Sequence, residues 1–228
     1  MKKIIVLLFA SFFSYSSVNA ADFKMPEFNL PDIDLNGTIG IGVTSNLGHA
    51  SGTEDQDDNR QDPGKVRESG VFVDDAVGIF AELNFGDRIS VGVSYLAEDV
   101  QTPQAENVKN GSTNSVKAAF SDITTTYVRL NVIGGFYLKA GIVDGDILTQ
   151  EKVTTSSQSA ASNIKDQDLS GETMGVGHVY EHDNGLQLRT ELMFADYDTF
   201  KATDTTGDVY TVDKLEHLQA SVWIAKAF

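Results

Sequence analysis

The chain has no cysteine, and its 17 lysines and arginines stand against 33 aspartates and glutamates, a net charge of −16. Without cysteine there is no disulfide framework, no thiolate nucleophile and no cysteine zinc site, so an exported chain of this size must be held by packing or by closure of its backbone. The shortage of cations excludes general attraction to nucleic acid, whose phosphates need neutralising. A long apolar run is missing as well. After Phe13 no stretch is apolar enough to cross a bilayer as a helix. The only other backbone that satisfies all its polar groups in lipid is a closed barrel.

The N-terminus reads as a secretory signal peptide over residues 1–20. Lys2 and Lys3 are its charged region, Ile4–Phe13 its apolar stretch, and Val18-Asn19-Ala20 its small-residue cleavage site. Removal of two lysines takes the charge from −16 to −18 and leaves one domain's length of chain. Residues 21–35, interrupted by Pro26 and Pro31, read as an extended periplasmic leader. The remainder, 36–228, reads as one all-β domain.

Eight strand-like segments can be marked: Asn36–Leu47, Val71–Phe85, Arg88–Ala97, Ile123–Val132, Phe136–Ile147, Glu172–Glu181, Leu186–Tyr197 and Tyr210–Phe228. Three connections are tight and glycine-bearing: Gly86-Asp87, Ile133-Gly134-Gly135 and His182-Asp183-Asn184-Gly185. The other four, Gly48–Gly70, Glu98–Asp122, Leu148–Gly171 and Asp198–Val209, are long and polar. Short and long connections alternate, and within the strands apolar residues recur at period two. Ile39, Ile41 and Val43 mark one outward stripe; Leu186, Leu188, Leu192 and Phe194 mark another. Glycines 175 and 177 leave the register of the sixth segment open. Phe85, Phe136 and Phe228 flank the short turns, and Phe72, Tyr95, Tyr197 and Tyr210 the long loops, as two aromatic girdles would. The pattern predicts an antiparallel up-and-down transmembrane β-barrel of eight strands, with short periplasmic turns and long extracellular loops. A soluble β-sandwich has no reason to gather its long loops at one end. Ten strands would follow if Gly48–Gly70 hid a hairpin.

The last strand ends on Phe228, with Val222 and Ile224 on one face and Ser221 and Trp223 on the other. A terminal aromatic on a final alternating strand resembles the signal by which outer-membrane barrels are recognised for insertion, with Lys226 as a departure from it. With the signal peptide and the loop alternation, the chain resembles the small eight-stranded barrels of the OmpA transmembrane domain, OmpX and OmpW. That resemblance implies the outer membrane of a Gram-negative bacterium, contact with its lipids including lipopolysaccharide, a barrel-assembly machinery acting on Phe228, Ile224 and Val222, and a monomer. It also implies a lumen closed by a charged network.

The inward parity of the strands carries Glu82, Arg129, Lys139, Arg189 and Glu191, all a few residues from a tight turn. Five such charges at one height in a narrow barrel should pair, opposite small inward residues such as Thr38, Gly40, Gly42, Ser90, Gly92 and Ser94. Tyr127, Gln187, Gln219 and Trp223 would thicken this plug.

Other sites are weak. Gly52–Asn59 has the first ligand spacings of a calcium loop, but Arg60 stands at the required glycine and Val66 at the required glutamate. The four histidines form no metal pattern. His49 lies close in sequence to Ser51 and Glu54, at the end of the barrel where lipid acyltransferase and deacylase barrels carry His and Ser; nothing in the spacing places a nucleophile beside a base. The expectation is a non-enzymatic surface protein, without cofactor or metal, whose acidic loops meet a ligand, cell or phage. A small passive channel for small or apolar solutes is the alternative, and an outer-leaflet lipid enzyme the third reading.

Overall fold

The computed structural model describes residues 35–55, 65–109, 112–154, 164–203 and 209–228. The expected signal peptide and nearly all of the leader lie outside the described residues, as does most of the calcium-like stretch. The strands are β1 (Leu35–Asp55), β2 (Lys65–Phe85), β3 (Ile89–Leu96), β4 (Val100–Gln101), β5 (Ala105–Lys109), β6 (Ser112–Asn131), β7 (Phe136–Thr154), β8 (Gln167–Glu181), β9 (Leu186–Tyr197), β10 (Phe200–Thr203) and β11 (Val209–Ala227).

Eight of them form an antiparallel ring in the order β1-β2-β3-β6-β7-β8-β9-β11. The ring closes where β1 pairs with β11, from Thr38↔Ala227 up to Asp55↔Val209. The short β4 and β5 lie along the upper part of β6, and β10 along the upper part of β11. The tight turns carry Gly86, Gly134, Gly135 and Gly185 at φ between +60° and +84°, a region closed to most side chains.

Two expectations need correction. The strands run well past the outward stripes, so most of the connection expected at Gly48–Gly70 is a two-stranded stalk, β1 and β2 pairing up to Asp55↔Lys65. It adds length to the same strands, not new ones to the ring. Above the bilayer both faces of a strand are wet, so polarity stops alternating while the backbone ladder continues. The second correction concerns Phe72 and Tyr197, expected in the outer girdle. Both are buried inside, because they share the parity of Glu82 and Arg189.

The outer face is apolar around the ring. Ile39, Ile41, Val43, Leu83, Leu138, Ile142, Leu192 and Ile224 are all exposed. On β8 the exposed pair Met174 and Val176 settles the register, with Gly175 and Gly177 inward against Met193 and Tyr137. Five of the stripes end upward at an outward carboxylate: Asp75 on β2, Asp144 on β7, Glu172 on β8, Asp196 on β9 and Glu216 on β11. Such a belt is what lipid tails require of a barrel, and the carboxylates mark its upper limit. The spanning segments are thus the parts between the tight turns and these acids.

Inside, above the belt's midpoint, Phe72, Leu96, Val100, Phe120, Ile123 and Leu215 belong to one apolar cluster. Phe72 stacks on Phe120 with centroids 5.3 Å apart. Its ring lies flat on Gly48, where a Cβ would come within 1.9 Å of it. Gly48→Ala therefore has to displace Phe72. A loss of about 1–3 kcal/mol is expected from such overpacking, read as a lower melting temperature of the refolded barrel; an unchanged one would contradict this packing.

Candidate functional site

The five charged residues picked out by parity meet in one layer. Glu82 and Arg129 precede their tight turns, and Lys139, Arg189 and Glu191 follow theirs, so ring closure brings them to a common height. Glu82 Oε2 accepts from Arg189 Nη1 at 2.8 Å and from Arg129 Nη2 at 3.1 Å, while Oε1 accepts from the Tyr127 hydroxyl at 3.0 Å. Glu191 accepts from Lys139 Nζ at 3.0 Å and from the Tyr137 hydroxyl at 2.8 Å. The two groups interlock through their rings. Lys139 Nζ sits 3.8 Å from the centroid of Tyr127, the tyrosine bonded to Glu82. The Arg129 guanidinium sits 5.1 Å from that of Tyr137, the tyrosine bonded to Glu191. Arg129 and Lys139 thus each pair with one carboxylate and face the aromatic partner of the other.

The layer is braced from below. Arg189 donates Nε and Nη2 to Gln187 Oε1 at 2.9 and 2.7 Å, and Gln187 donates to Glu181 at 2.7 Å. Arg129 also donates to Ser90 at 2.9 Å and to Asn131 at 2.5 Å. The opposite wall supplies the room. Gly40 lies under Phe80, Gly42 under Trp223 and Gly92 under Tyr127, each with a ring atom under 3 Å from where a Cβ would be. Phe80 in turn lies 4.6 Å from the Arg189 guanidinium and edge-on to Trp223. Tyr137 and Phe80 were not singled out from the sequence, although their parity matches Lys139 and Glu82.

Between this layer and the apolar cluster lies a neutral polar one, with Asn46 bonded to Thr44 at 3.2 Å and Gln219 to Asn46 at 3.2 Å. Above it, at the upper edge of the belt, His217 contacts the Tyr197 hydroxyl through Nδ1 at 3.3 Å. A void of about 10 Å³ beside them, lined by Phe72, Phe120 and Leu215 among others, is the size of one water.

The wall has a gap in its backbone ladder beside β2. β2 pairs with β1 over its full length, but with β3 only over Gly78–Phe85. Higher up, β4 and β5 follow β6 instead, so residues 65–76 of β2 have no strand partner on that side among the described residues. Carboxylates bridge the base of this seam: Glu98 accepts from the Val77 N–H at 3.2 Å, and Asp74 from the Gln101 N–H at 2.7 Å.

At the rim, His49 lies 3.9 Å from Glu216, which is also paired with Lys214 at 2.6 Å. Glu216 is the partner of His49 across the β1–β11 ladder. Among the described residues no group of three or more His, Asp or Glu side chains is arranged to hold a metal. Phe228 closes the ring at the other end, exchanging backbone bonds with Gly37 at 2.9 and 3.0 Å, while Val222 and Ile224 face outward.

One variant tests this account. Removing one member of a buried charge network strands the others, at about 3–5 kcal/mol. Arg189→Ala should lower the melting temperature of the refolded barrel far more than Lys201→Ala on the exposed face of β10; equal melting would contradict the network.

No known family model matches the sequence, and no curated protein matches it either. Solved structures do. The outer membrane protein OprG of Pseudomonas aeruginosa is similar at a TM-score of 0.52 and 15% identity, over 84% of this chain and 96% of that one. Ail of Yersinia pestis, solved with the heparin analogue sucrose octasulfate, is similar at 0.43 and 11%, over 86% and 100%. The outer membrane protease OmpT of Escherichia coli is similar at 0.41 and 10%, over 90% and 99%. The closed ring, the apolar belt and the likeness to OprG agree: the chain has the fold of a small eight-stranded outer-membrane β-barrel.

Proposed function

We propose that the chain is a sealed barrel of the bacterial outer membrane that works through its extracellular side. The observation that carries this reading is closure at two levels, the charged layer around Glu82 and Glu191 below and the apolar cluster around Phe72 and Phe120 above. A water path would have to pass both. What remains for contact is the long extracellular part of the strands and the acidic connections they carry. Outer-leaflet lipid, including lipopolysaccharide, surrounds the belt, and a ligand, cell or phage meets the top. Phe228, with Ile224 and Val222 on the outward face, is the segment that the assembly machinery would read.

The refolded chain should be silent in a planar bilayer. Discrete conductance steps that change in Glu82→Gln or Arg129→Ala would end this reading and put a gated channel in its place.

A second reading is favoured by the seam. An unpaired stretch of wall in front of an apolar interior is a route by which an apolar solute could leave the lumen sideways into the outer leaflet. It requires the Phe72–Phe120 stack to open. Under it, Phe72→Ala should speed entry of an apolar fluorescent dye into liposomes carrying the barrel; unchanged entry in Phe72→Ala and Phe120→Ala would remove it.

A further inference from the structure

The seam also leaves a backbone edge. Residues of a strand point their N–H and C=O groups alternately to the two sides, so the parity that faces the seam can be fixed. Val77 C=O accepts from Ala97 N–H at 2.8 Å, and Val77 N–H donates to Glu98, so the odd-numbered residues of β2 face β3 and the seam. The lower end of this edge is satisfied, since the Asp75 N–H is held by the Asp74 carboxylate at 3.0 Å. Above it Val73, Val71, Ser69 and Arg67 face the seam, with no strand partner there among the described residues. Seven residues, 67–73, form an edge long enough for another strand to pair with.

Its side chains are unusual for their place. Val71 and Val73 are 62% and 65% exposed, although they lie above the outward Asp75 that ends the apolar stripe of β2. Two or four residues above Asp75 is about 5–10 Å higher, at a rise near 3.3 Å per residue on a tilted strand. Across the ladder to β1, Val73 is paired with the exposed Leu47, the top of the β1 stripe, and Val71 with His49, so Val71 stands above the apolar belt. Natural edges are commonly blunted by charge or proline; between Asp75 and Arg67 the seam-facing residues Val73, Val71 and Ser69 carry neither. Below the valines, Asp74, Asp75, Glu98 and Asp99 gather four carboxylates, with Lys117 held on the Gln101 side chain as the nearby cation.

We propose that residues 67–73 of β2 are a docking edge for an extended peptide segment of a partner protein. The segment adds a strand to the β1–β2 stalk, sets small apolar side chains against Val71 and Val73, and carries basic residues at the end beside Asp75, Glu98 and Asp99. Backbone pairing gives affinity and the charge complementarity gives polarity and choice of partner. This rests on the surface-contact reading above and names where that contact is made.

The test uses the refolded chain and a nine-residue peptide of alternating valine and lysine, with a glycine–lysine peptide of equal charge as control. The valine peptide should bind at least tenfold tighter, and on binding the amides of Val71 and Val73 should become protected from hydrogen exchange while that of Val43 is unaffected. Val71→Pro removes an N–H that faces the seam and leaves the β1 ladder intact, because the ladder to β1 uses the even-numbered residues. It should bring binding down to the glycine-peptide level, with Val73→Pro as a second variant should the first fail to fold. Equal binding of both peptides, or binding unchanged by either proline, would overturn the proposal. So would Val71 and Val73 amides already protected in the free chain, which would mean that another part of this chain covers the edge. A disulfide dimer formed by Val73→Cys alone would assign the edge to a second copy and overturn it as well. Failure here with a silent bilayer leaves the surface reading intact at another face; conductance ends that reading whatever the peptides do.

Discussion

Every peptide group that enters the hydrocarbon must be bonded within the protein, and closure of β1 on β11 is the contact that meets this demand. A sheet of eight strands has two edges; in lipid each unpaired N–H or C=O costs several kcal/mol. The ladder from Thr38↔Ala227 upward removes both edges at once. The remaining features are consequences. Closure fixes which parity faces inward, narrows the lumen until side chains fill it, and brings charges from distant parts of the sequence to a common height. The constraint also lapses where lipid ends. The ladder between β2 and β3 stops at Gly78↔Leu96, close to the level where the outward stripes give way to Asp75, Asp144, Glu172 and Asp196.

The charged layer follows from the narrowness of the ring. Three cations and two carboxylates taken from water are stable only if each finds several partners. They do so because β1 and β3 contribute glycine and serine where β2, β6, β7 and β9 contribute long side chains. A Cβ at Gly40 would meet Phe80 at 2.3 Å, and one at Gly92 would meet Tyr127 at 2.7 Å. The small residues are therefore what allows the aromatic rings to lie under the cations. Tyr127 and Tyr137 tie the two ion-pair groups together, so that neither group can rearrange without moving a ring that serves the other.

The ring, the outward stripes and the five charged residues were legible because they obey one rule, period-two polarity, across the part of each strand that lipid touches. Where the rule loses its cause, legibility ends. The upper halves of β1 and β2 read as a polar loop because both faces meet water. Phe72 and Tyr197 read as girdle residues because they stand near loops, although their parity already placed them inside. The seam was invisible, since it depends on β4 and β5 choosing β6 over β2, a choice that short polar segments do not advertise. Glu216 beside His49 was hidden for a related reason: closure makes neighbours of residues more than 160 positions apart.

These limits bear on where function resides. Period-two order is imposed by lipid, so residues that obey it are largely explained by residence in the membrane. Residues that break it above the belt need another cause. Val71 and Val73 are apolar and exposed above Asp75, and they sit on a stretch of backbone edge that has no strand partner among the described residues. An apolar face and an open ladder on the same seven residues are each a liability in water. A strand laid along them from outside would remove both together, which ties the seam to the extracellular side as the working surface.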